Sequence, residues 1–480
     1  MIRPGPQGLV MNGKGPMGAA ALILAAGEGT RMNSRLPKVA HRILGVPMVS
    51  YVVDAAREAG CDNIVVVTGH GANAVDSLLG NVTCVHQTEQ LGTGHAVMCA
   101  EDVLAGVDGS LVVLSGDSPL LRVETIRRLI EARERVAAAV AVLTTTLSDS
   151  AGYGRIVRDE HGALVAIVED KDLAPDQRSI KEVNTGTYCF DAQLLFNHLG
   201  RLGNENAQGE YYLTDIVEIL RLEGLDVVDV TTDEPEETLG VNSRVQLAEA
   251  TKILQKRINH AHMLAGVTMT DPDLVWIGPG VTIGRDTVLE PMTYLSGDTR
   301  VAEECVIGPD SRLTDSRVEN GAIVDSSILV GAVVGEGATV GPRAYLRPGT
   351  VLGKKSKAGT SVEIKNSTVG DGSKVPHLSY IGDATIGSDV NVGAGTITCN
   401  YDGERKHATV IGDGAFIGSD TMLVAPVTVG GGAVTAAGSA ITRDVPADAL
   451  GIERCEQCTV KGWARKQRAG RERNDDLKER

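Results

Sequence analysis

The feature that most constrains this chain is a six-residue rhythm that runs from about residue 277 to residue 446. It reads Ile277-Gly278-Pro279-Gly280-Val281-Thr282, then Ile283-Gly284-Arg285-Asp286-Thr287-Val288, and it returns as Val334-Gly335-Glu336-Gly337-Ala338-Thr339. It closes through Ile417, Leu423, Val429, Thr435 and Ile441. An aliphatic residue leads nearly every unit, Gly often follows, and a small or β-branched residue comes four places after the lead. An α-helical period of 3.6 does not fit, and the glycines weaken a helix further. The pattern predicts a parallel β-helix. Each hexad forms one flat face of a triangular coil, the lead residue points inward, and Gly turns the corner with unusual dihedrals. Such a solenoid buries its core only by stacking, with backbone hydrogen bonds between coils about 4.8 Å apart. A flexible Gly-rich linker would not keep its apolar positions in phase over so many units.

The remaining composition is consistent with this. With 480 residues the chain has room for two or three domains. Hydrophobic residues make up 42% and aromatics only 3%, as a narrow solenoid filled by Val, Ile, Leu and Ala requires. A net charge of −16 argues against a general nucleic-acid binder. No run of about 18 apolar residues exists, so no membrane span is expected. Met1 to Gly18 is Gly/Pro-rich without an apolar signal core, and reads as a disordered extension in which Met11 and Met17 are alternative starts. The eight cysteines are scattered, which fits a reduced, cytoplasmic protein better than a disulfide framework.

Ahead of the repeat, strand and helix signals alternate. Ala19 to Leu24 is a short buried-strand run, followed at once by Ala25-Ala26-Gly27-Glu28-Gly29-Thr30-Arg31-Met32. A Gly-rich loop after a strand lets backbone N–H groups approach phosphate oxygens. Arg31 and Lys38 add cations suited to a triphosphate, and Pro37 holds Lys38 in an ordered turn. Met48 to Ala59 carries a helical stripe; Asn63 to Thr68 and Leu111 to Leu114 are Val/Leu-rich strands. Alternation of this kind predicts a mostly parallel sheet with helices on both faces and ligands beyond the carboxyl ends of its strands. Asp117 sits at such an end, where a Mg²⁺ ligand belongs; an Asp there also serves as a turn residue. Thr214 to Leu220 reads as a packing helix, and Ser243 to Ala265 as a long helix in which His260 and His262 face different sides.

These motifs together resemble the sugar-phosphate nucleotidyltransferases: Leu24 to Met32 with Pro37-Lys38, then Gln87 to His95, Gly152-Tyr153-Gly154-Arg155, Glu169 to Asp172, Asn184-Thr185-Gly186 and Gly240 to Arg244. With a β-helix behind them, they resemble the bacterial bifunctional N-acetylglucosamine-1-phosphate uridylyltransferases / glucosamine-1-phosphate N-acetyltransferases, over about residues 19 to 454. The resemblance implies an α/β, Rossmann-like nucleotidyltransferase domain joined by a long helix to a left-handed parallel β-helix. Handedness does not follow from the period; ordinary parallel crossovers are right-handed in about 98% of cases. The implied division is a disordered extension over 1–18, a uridylyltransferase domain over 19–243, a linker helix over 244–265, an acetyltransferase domain over 266–454 and a tail over 455–480.

The resemblance also implies roles. UTP and the UDP-sugar would be held by Leu24, Ala25, Ala26, Gly27, Lys38, Gln87, Gly92, Thr93, Gly154, Glu169, Asn184 and Asn242, with Gly154, Glu169 and Asn184 on the amino sugar. Asp117 and Asn242 would hold Mg²⁺ with hard oxygens, and Arg31 and Lys38 would neutralise phosphate charge. In the repeat, two features break the rhythm: Arg347-Pro348-Gly349 with Glu363-Ile364-Lys365, and the insertion Thr398 to His407. An insertion in a solenoid lands on one face, often the binding face. There the resemblance implies acetyl transfer from acetyl-CoA to glucosamine 1-phosphate. His377 is the natural base for an amine attacking a thioester, with Glu363 orienting or supporting it. Arg347, Lys365, Tyr380, Asn391 and Lys406 would hold the sugar phosphate, and Ala394, Asn400, Tyr401, Ser419, Ala437 and Arg454 the coenzyme. A homotrimer with sites between subunits, acting on UTP, N-acetylglucosamine 1-phosphate, glucosamine 1-phosphate and acetyl-CoA, completes the implication.

At the N-terminal end the alternative is a different sugar or base, for example thymidylyl or adenylyl transfer, and two alternatives stand beside the reading of the repeat domain. One is a nucleotidyltransferase whose β-helix is only a trimerisation scaffold. The other is a β-helical metal enzyme, which wants three histidines around the metal, whereas only His377 and His407 follow His262. Cys455 and Cys458 form a CxxC without a second pair, so zinc is not expected. The tail from Lys461 is charged and reads as disordered or docked on a neighbour. Cys399, beside the proposed coenzyme pocket, is a candidate alkylation-sensitive thiol.

Overall fold

A computed structural model of the chain describes residues 18–469. The protein forms two compact units, one built on residues up to Ala261 and the other on residues from His262 onward. The extension over 1–18 lies outside the described residues except for Gly18, as does the tail beyond residue 469.

The first unit is built on a nine-stranded sheet. Its main path runs Val227–Thr232, Val140–Thr146, Glu182–Asp191, Ser110–Ser115, Ala19–Ala25, Cys61–Thr68, Thr83–His86. Ala19–Ala25 lies parallel to both Cys61–Thr68 and Ser110–Ser115. Only Glu182–Asp191 runs antiparallel to its two neighbours on this path. The strands are apolar on both sides because helices cover both faces. Leu22, Val65 and Val113 pack on one face with Val97, Leu195 and Ile216. Ile23, Val66 and Val112 pack on the other with Val52, Val75 and Ile126. Alternate residues of one strand thus feed two separate cores, as period-2 side-chain direction requires. The long helix Arg244–Leu264 is more than a connector. Its Leu247, Ala250, Ile253 and Leu254 pack with Ile43, Met48, Leu120 and Val241, and Arg257 Nη1 donates to Leu120 O at 2.6 Å. His260 is exposed, but His262 is half-buried, and burial lowers its imidazole below its usual range.

The second unit is a left-handed parallel β-helix. Its three faces are sheets of 11, 10 and 9 strands. One ladder climbs in strict register through Val288, Val306, Ile323, Thr339, Lys357, Lys374, Asn391, Phe416, Val434 and Leu450. The stack begins with Thr268–Met269, ahead of the first recognisable hexad. Lead residues such as Leu313, Val334, Ile364 and Ile417 are fully buried, and so are the small residues four places later, including Ala338 and Thr421. The hydroxyls at that inner position close on carbonyls, Ser373 Oγ donating to Gly387 O at 2.6 Å and Thr293 Oγ1 to Glu290 O at 2.7 Å. A buried polar group is tolerated only when paired in this way.

Two expectations need correction. The Gly after the lead residue does not serve an unusual dihedral at most positions. It serves close approach: a Cβ on Gly370 would lie 2.4 Å from the carbonyl carbon of Gly387 in the next coil, and one on Gly335 would lie 2.6 Å from that of Gly353. Left-handed dihedrals occur instead at the third place after the lead, filled by Gly321, Gly337 and Gly372 or by Asp286, Asp389 and Asp420. Second, Arg347-Pro348-Gly349 and Glu363–Lys365 do not interrupt the coil. Tyr345, Glu363 and Tyr380 pair in continuous register, and only outward-facing residues differ there. The Thr398–His407 segment does interrupt it, a bridge between Tyr401 and Lys406 closing a loop outside the stack. At the end of the described chain, residues 463–469 are helical and exposed rather than disordered.

Candidate functional site

Within the first unit a cavity of about 400 Å³ opens beyond the carboxyl ends of the parallel strands. It is lined by Leu24, Ala25, Ala26, Gly27 and Lys38 from the first loop, Gln87, Gly92 and Thr93 from the next, and Asp117 just past Ser110–Ser115. A Cβ on Gly27 would meet nothing within 4 Å, so the loop leaves open space there. Gly29 does the opposite: at φ +64 it faces Lys38, and a Cβ would come within 2.5 Å of the Lys38 Cβ. The glycine lets Pro37 and the 3₁₀ turn Lys38–Ala40 fold back on the loop.

Lys38 Nζ contacts Asp117 Oδ2 and donates to Asn242 Oδ1 at 3.0 Å. Val241 N donates to Asp117 O at 2.9 Å, which fixes the approach of the Asn242 segment. Two hard oxygens therefore converge on one point, which a cation occupies. That donor set suits Mg²⁺, which favours one or two protein oxygens completed by water and phosphate. Among the described residues no cluster of three or more His, Cys, Asp or Glu forms a fuller metal cage. Arg31 is exposed and does not line the cavity.

The residues of the Gln87–Thr93 wall are tied together. Buried Gln87 donates through Nε2 to Gly92 O at 3.1 Å and lies 3.1 Å from His95 Nδ1. Thr93 Oγ1 accepts from Leu213 N at 3.0 Å. At Gly92 a Cβ would lie 2.6 Å from Tyr211 O, so only Gly lets these two segments touch. Gly154, Glu169 and Asn184 also converge: Asn184 N donates to Gly154 O at 2.9 Å, and a Cβ on Gly154 would lie 3.5 Å from Glu169 Oε1. Burial pushes the Glu169 carboxyl up, and the Thr214 hydroxyl partly offsets it. Sequence reasoning missed Glu28, Gln90, Ser115 and Glu210 on the cavity wall. Glu28 and Gln90 stand inside the two quoted motifs and Ser115 one residue before the Gly116-Asp117 turn, so these three carried a legible signal, whereas Glu210 carried none.

In the β-helix most of the predicted residues fall on one outward face and the two corners that bound it, while Asn391 lies on the neighbouring face and Tyr401 and Lys406 on the inserted loop. Because the coils are in register, His377, Ala394, Ser419 and Ala437 hold equivalent places after Val375, Val392, Ile417 and Thr435. They stack in one corner column, where Asp420 N donates to Ala394 O at 2.7 Å and Gly438 N to Ser419 O at 2.8 Å. Arg454 Nη1 donates to Ala437 O at 2.8 Å at the end of that column. The His377 ring is exposed. The adjoining face carries Arg347, Glu363, Lys365 and Tyr380 outward. Glu363 does not reach His377; its Oε1 accepts from Arg347 Nη1 at 2.8 Å. Both partners are more than a third exposed, so solvent screens the pair and it fixes geometry more than it stabilises the fold. Lys365 and Lys406 approach each other, and that proximity, more than any other cause, lowers the Lys406 ammonium. Two cations pressed together on a solvent-facing wall suit an anion.

The far corner holds Asn366, Asp383 and Asn400 in equivalent places. Asn366 Nδ2 donates to Asp383 Oδ1 at 2.7 Å and Asn400 Nδ2 to Asp383 Oδ2 at 2.5 Å. Asn400 is buried, whereas Tyr401 is 61% exposed. Asn391 sits on the ladder between Lys374 and Phe416, away from the Tyr380 face. Burial pushes the Cys399 thiol up, away from the reactive thiolate. Cys455 and Cys458 are free and exposed.

The chain matches the family model of the MobA-like NTP transferase domain over residues 21–172. It is 52% identical over 435 residues to the bifunctional protein GlmU of Heliobacterium modesticaldum, covering 90% of this chain and 95% of that protein. It is 50% identical over 454 residues to that of Trichlorobacter lovleyi, covering 94% and 99%. It is likewise 50% identical over 459 residues to that of Streptomyces coelicolor, covering 94% and 95%.

Proposed function

The chain belongs to the bifunctional GlmU family, and on that premise we propose which of its residues carry each of two reactions. The enzyme acetylates glucosamine 1-phosphate from acetyl-CoA and then transfers UMP from UTP to N-acetylglucosamine 1-phosphate, releasing pyrophosphate. A role for the β-helix as scaffold alone therefore falls, and so does the β-helical metal enzyme. Mg²⁺ serves the uridylyl step and acetyl-CoA is the acetyl donor. The protein acts as a homotrimer on small-molecule substrates. Among the described residues no helix is long and apolar enough to cross a membrane. From the use of UTP and acetyl-CoA as substrates we infer a cytoplasmic enzyme.

In the uridylyl site the incoming sugar phosphate is already anionic, so positioning and charge neutralisation carry the reaction. Leu24 to Gly27 present backbone to the nucleotide, Gln87, Gly92 and Thr93 hold uracil and ribose, and Gly154, Glu169 and Asn184 hold the amino sugar. Asp117 and Asn242 would hold Mg²⁺, which would supply Lewis-acid neutralisation of the phosphates. Lys38 neutralises phosphate charge beside them. Arg31, exposed at the loop tip, reaches phosphate from outside the cavity wall. The observation that carries this reading is the convergence of Lys38, Asp117 and Asn242 at the end of the parallel strands.

For acetyl transfer, the amine of glucosamine 1-phosphate attacks the thioester carbonyl, its proton passes to a ring nitrogen of His377, and coenzyme A leaves as the thiol. Arg347, Lys365 and Lys406 bind the phosphate, Tyr380 and Asn391 line the acceptor pocket, and Ala394, Asn400, Tyr401, Ser419, Ala437 and Arg454 bind the coenzyme. Glu363 acts on Arg347 rather than on the base. Support comes from the crowded lysine pair and from the single column that holds His377 with three coenzyme contacts. Because the remaining contacts lie on the adjoining face and the far corner, we infer that neighbouring subunits complete each site. The domain division at 19–243, 244–265 and 266–454 follows the same assignment, with 455–480 as a tail outside both sites.

A paired assay tests this. His377→Ala should abolish thiol release from acetyl-CoA and leave pyrophosphate release from UTP intact. Asp117→Ala should do the reverse. Loss of both activities in either variant would sink the assignment.

A further inference from the structure

We propose that Asp383 is a positioning residue for acetyl transfer, a single carboxylate that sets the acceptor-phosphate lysines and the coenzyme contact Asn400 relative to one another. The inference rests on the assignment of Lys365, Lys406 and Asn400 made above.

Corner aspartates recur in this β-helix, and most have a local task. Asp315 accepts from Asp298 N at 2.9 Å, Asp371 from Lys354 N at 2.7 Å, and Asp413 from Ser388 N at 2.7 Å. Each caps the backbone of the preceding coil. Asp383 shares the left-handed backbone of Asp315, with φ 51 against 49, a conformation Asp tolerates. Its side-chain bonds differ. Both oxygens accept from side-chain amides, Asn366 on one neighbouring coil and Asn400 on the other. The carboxylate thus ties three coils at one corner.

Its surroundings are those of the acceptor site. Asp383 N donates to Lys365 O at 3.1 Å and Asp383 O accepts from Thr409 N at 3.2 Å, so its backbone joins the Lys365 strand to the strand that follows the inserted loop. The ammonium groups of Lys365 and Lys406 lie close enough to act on its charge. Partial burial raises the carboxyl, but the two amides and the two lysines outweigh it and keep it ionised. An anion bonded to two side-chain amides, with two crowded cations acting on its charge, restrains where each can point. Lys406 belongs to the loop outside the stack, which has no lead aliphatic to anchor it, and Asn400 is the coil residue from which that loop departs. Asp383 supplies that anchor from the regular coil.

The test uses the full-length protein. Thiol release is measured at varied glucosamine 1-phosphate and varied acetyl-CoA for Asp383→Asn and Asp383→Ala, with Lys365→Ala and Lys406→Ala as references and pyrophosphate release as a second readout. Losing a hydrogen bond to a charged group should raise KM for both acetyl-transfer substrates about tenfold, with pyrophosphate release within about twofold of the parent. If both Asp383 variants keep both KM values while the lysine variants raise KM for glucosamine 1-phosphate, the inference is wrong and the site assignment stands. If the lysine variants also leave that KM unchanged, the assignment itself fails and carries the inference with it. Loss of thiol and pyrophosphate release together would give Asp383 a folding role alone and overturn the proposal.

Discussion

Gly382→Ala is the substitution that best separates site geometry from fold. Gly382 has an ordinary backbone, so alanine brings no dihedral strain. The added Cβ would lie 2.5 Å from Tyr380 Oη and 2.7 Å from Asn400 Nδ2, both at the ends of side chains. Relieving that overlap moves the tyrosine hydroxyl by about 1 Å and pulls Asn400 off Asp383; a displacement of that size near reacting atoms costs on the order of a hundredfold. The broken Asn400–Asp383 bond is charge-assisted, worth about 1.5–3 kcal/mol, or roughly 10- to 150-fold in rate. Thiol release should therefore fall by one to two orders of magnitude while pyrophosphate release stays near the parent, and Tm should fall by no more than the loss of that one hydrogen bond allows. Gly370→Ala is the matched control. Its Cβ meets backbone, 2.4 Å from the Gly387 carbonyl carbon, and backbone cannot swing aside. That variant should lose about 1–3 kcal/mol of stability and show a lowered Tm. Thiol release within twofold of the parent in Gly382→Ala would refute the reasoning, because the overlap would then be absorbed without moving either functional side chain.

Other outcomes follow from the same geometry. Lys38→Met removes the cation held between Asp117 and Asn242, so pyrophosphate release should fall at least tenfold while Mg²⁺ binding without nucleotide, measured by calorimetry, tightens. Glu237 is buried and accepts from Thr125 Oγ1 at 2.8 Å and Arg122 N at 3.2 Å; Glu237→Ala should cost about 2–4 kcal/mol in denaturant titration. Burial, with Glu218 and Asp172 nearby, pushes the Asp215 carboxyl up to about 6. The folded state then holds the proton more tightly than the unfolded one, so Asp215 lowers stability as pH rises from about 4 to about 6. Asp215→Asn should flatten that part of the Tm profile, and an unchanged slope would count against the assignment.

How much could be read before folding depends on range. The six-residue period, with its inward lead and its small residue four places later, is a local pattern, and local patterns survive in sequence because each unit repeats the same packing problem. The Gly-rich loop after Ala19–Ala25 was legible for a similar reason: a buried strand running straight into a phosphate-sized turn needs only adjacent residues. The insertion at Thr398–His407 was legible because it breaks a rhythm. The role of the repeat glycines was not, since what each one meets is the backbone of the next coil. Glu363 drew attention as a neighbour of the proposed base, but register carries its side chain along one face to Arg347, while His377 lies round the corner.

The sequence by itself determined the coil, the phase of its core and the identity of the loops that could meet substrate. Only the tertiary structure decided which side chains share a point in space. Lys38, Asp117 and Asn242 come from three distant segments, brought together by strand order and the return of the chain after residue 240. Asn366, Asp383 and Asn400 recur at intervals of 17 residues, but they become one hydrogen-bonded column only when the coils stack in register. The physical reason is the same in both cases. Period and propensity act over a few residues, whereas a binding site is a coincidence of long-range contacts that exists once the backbone hydrogen bonds have fixed the register.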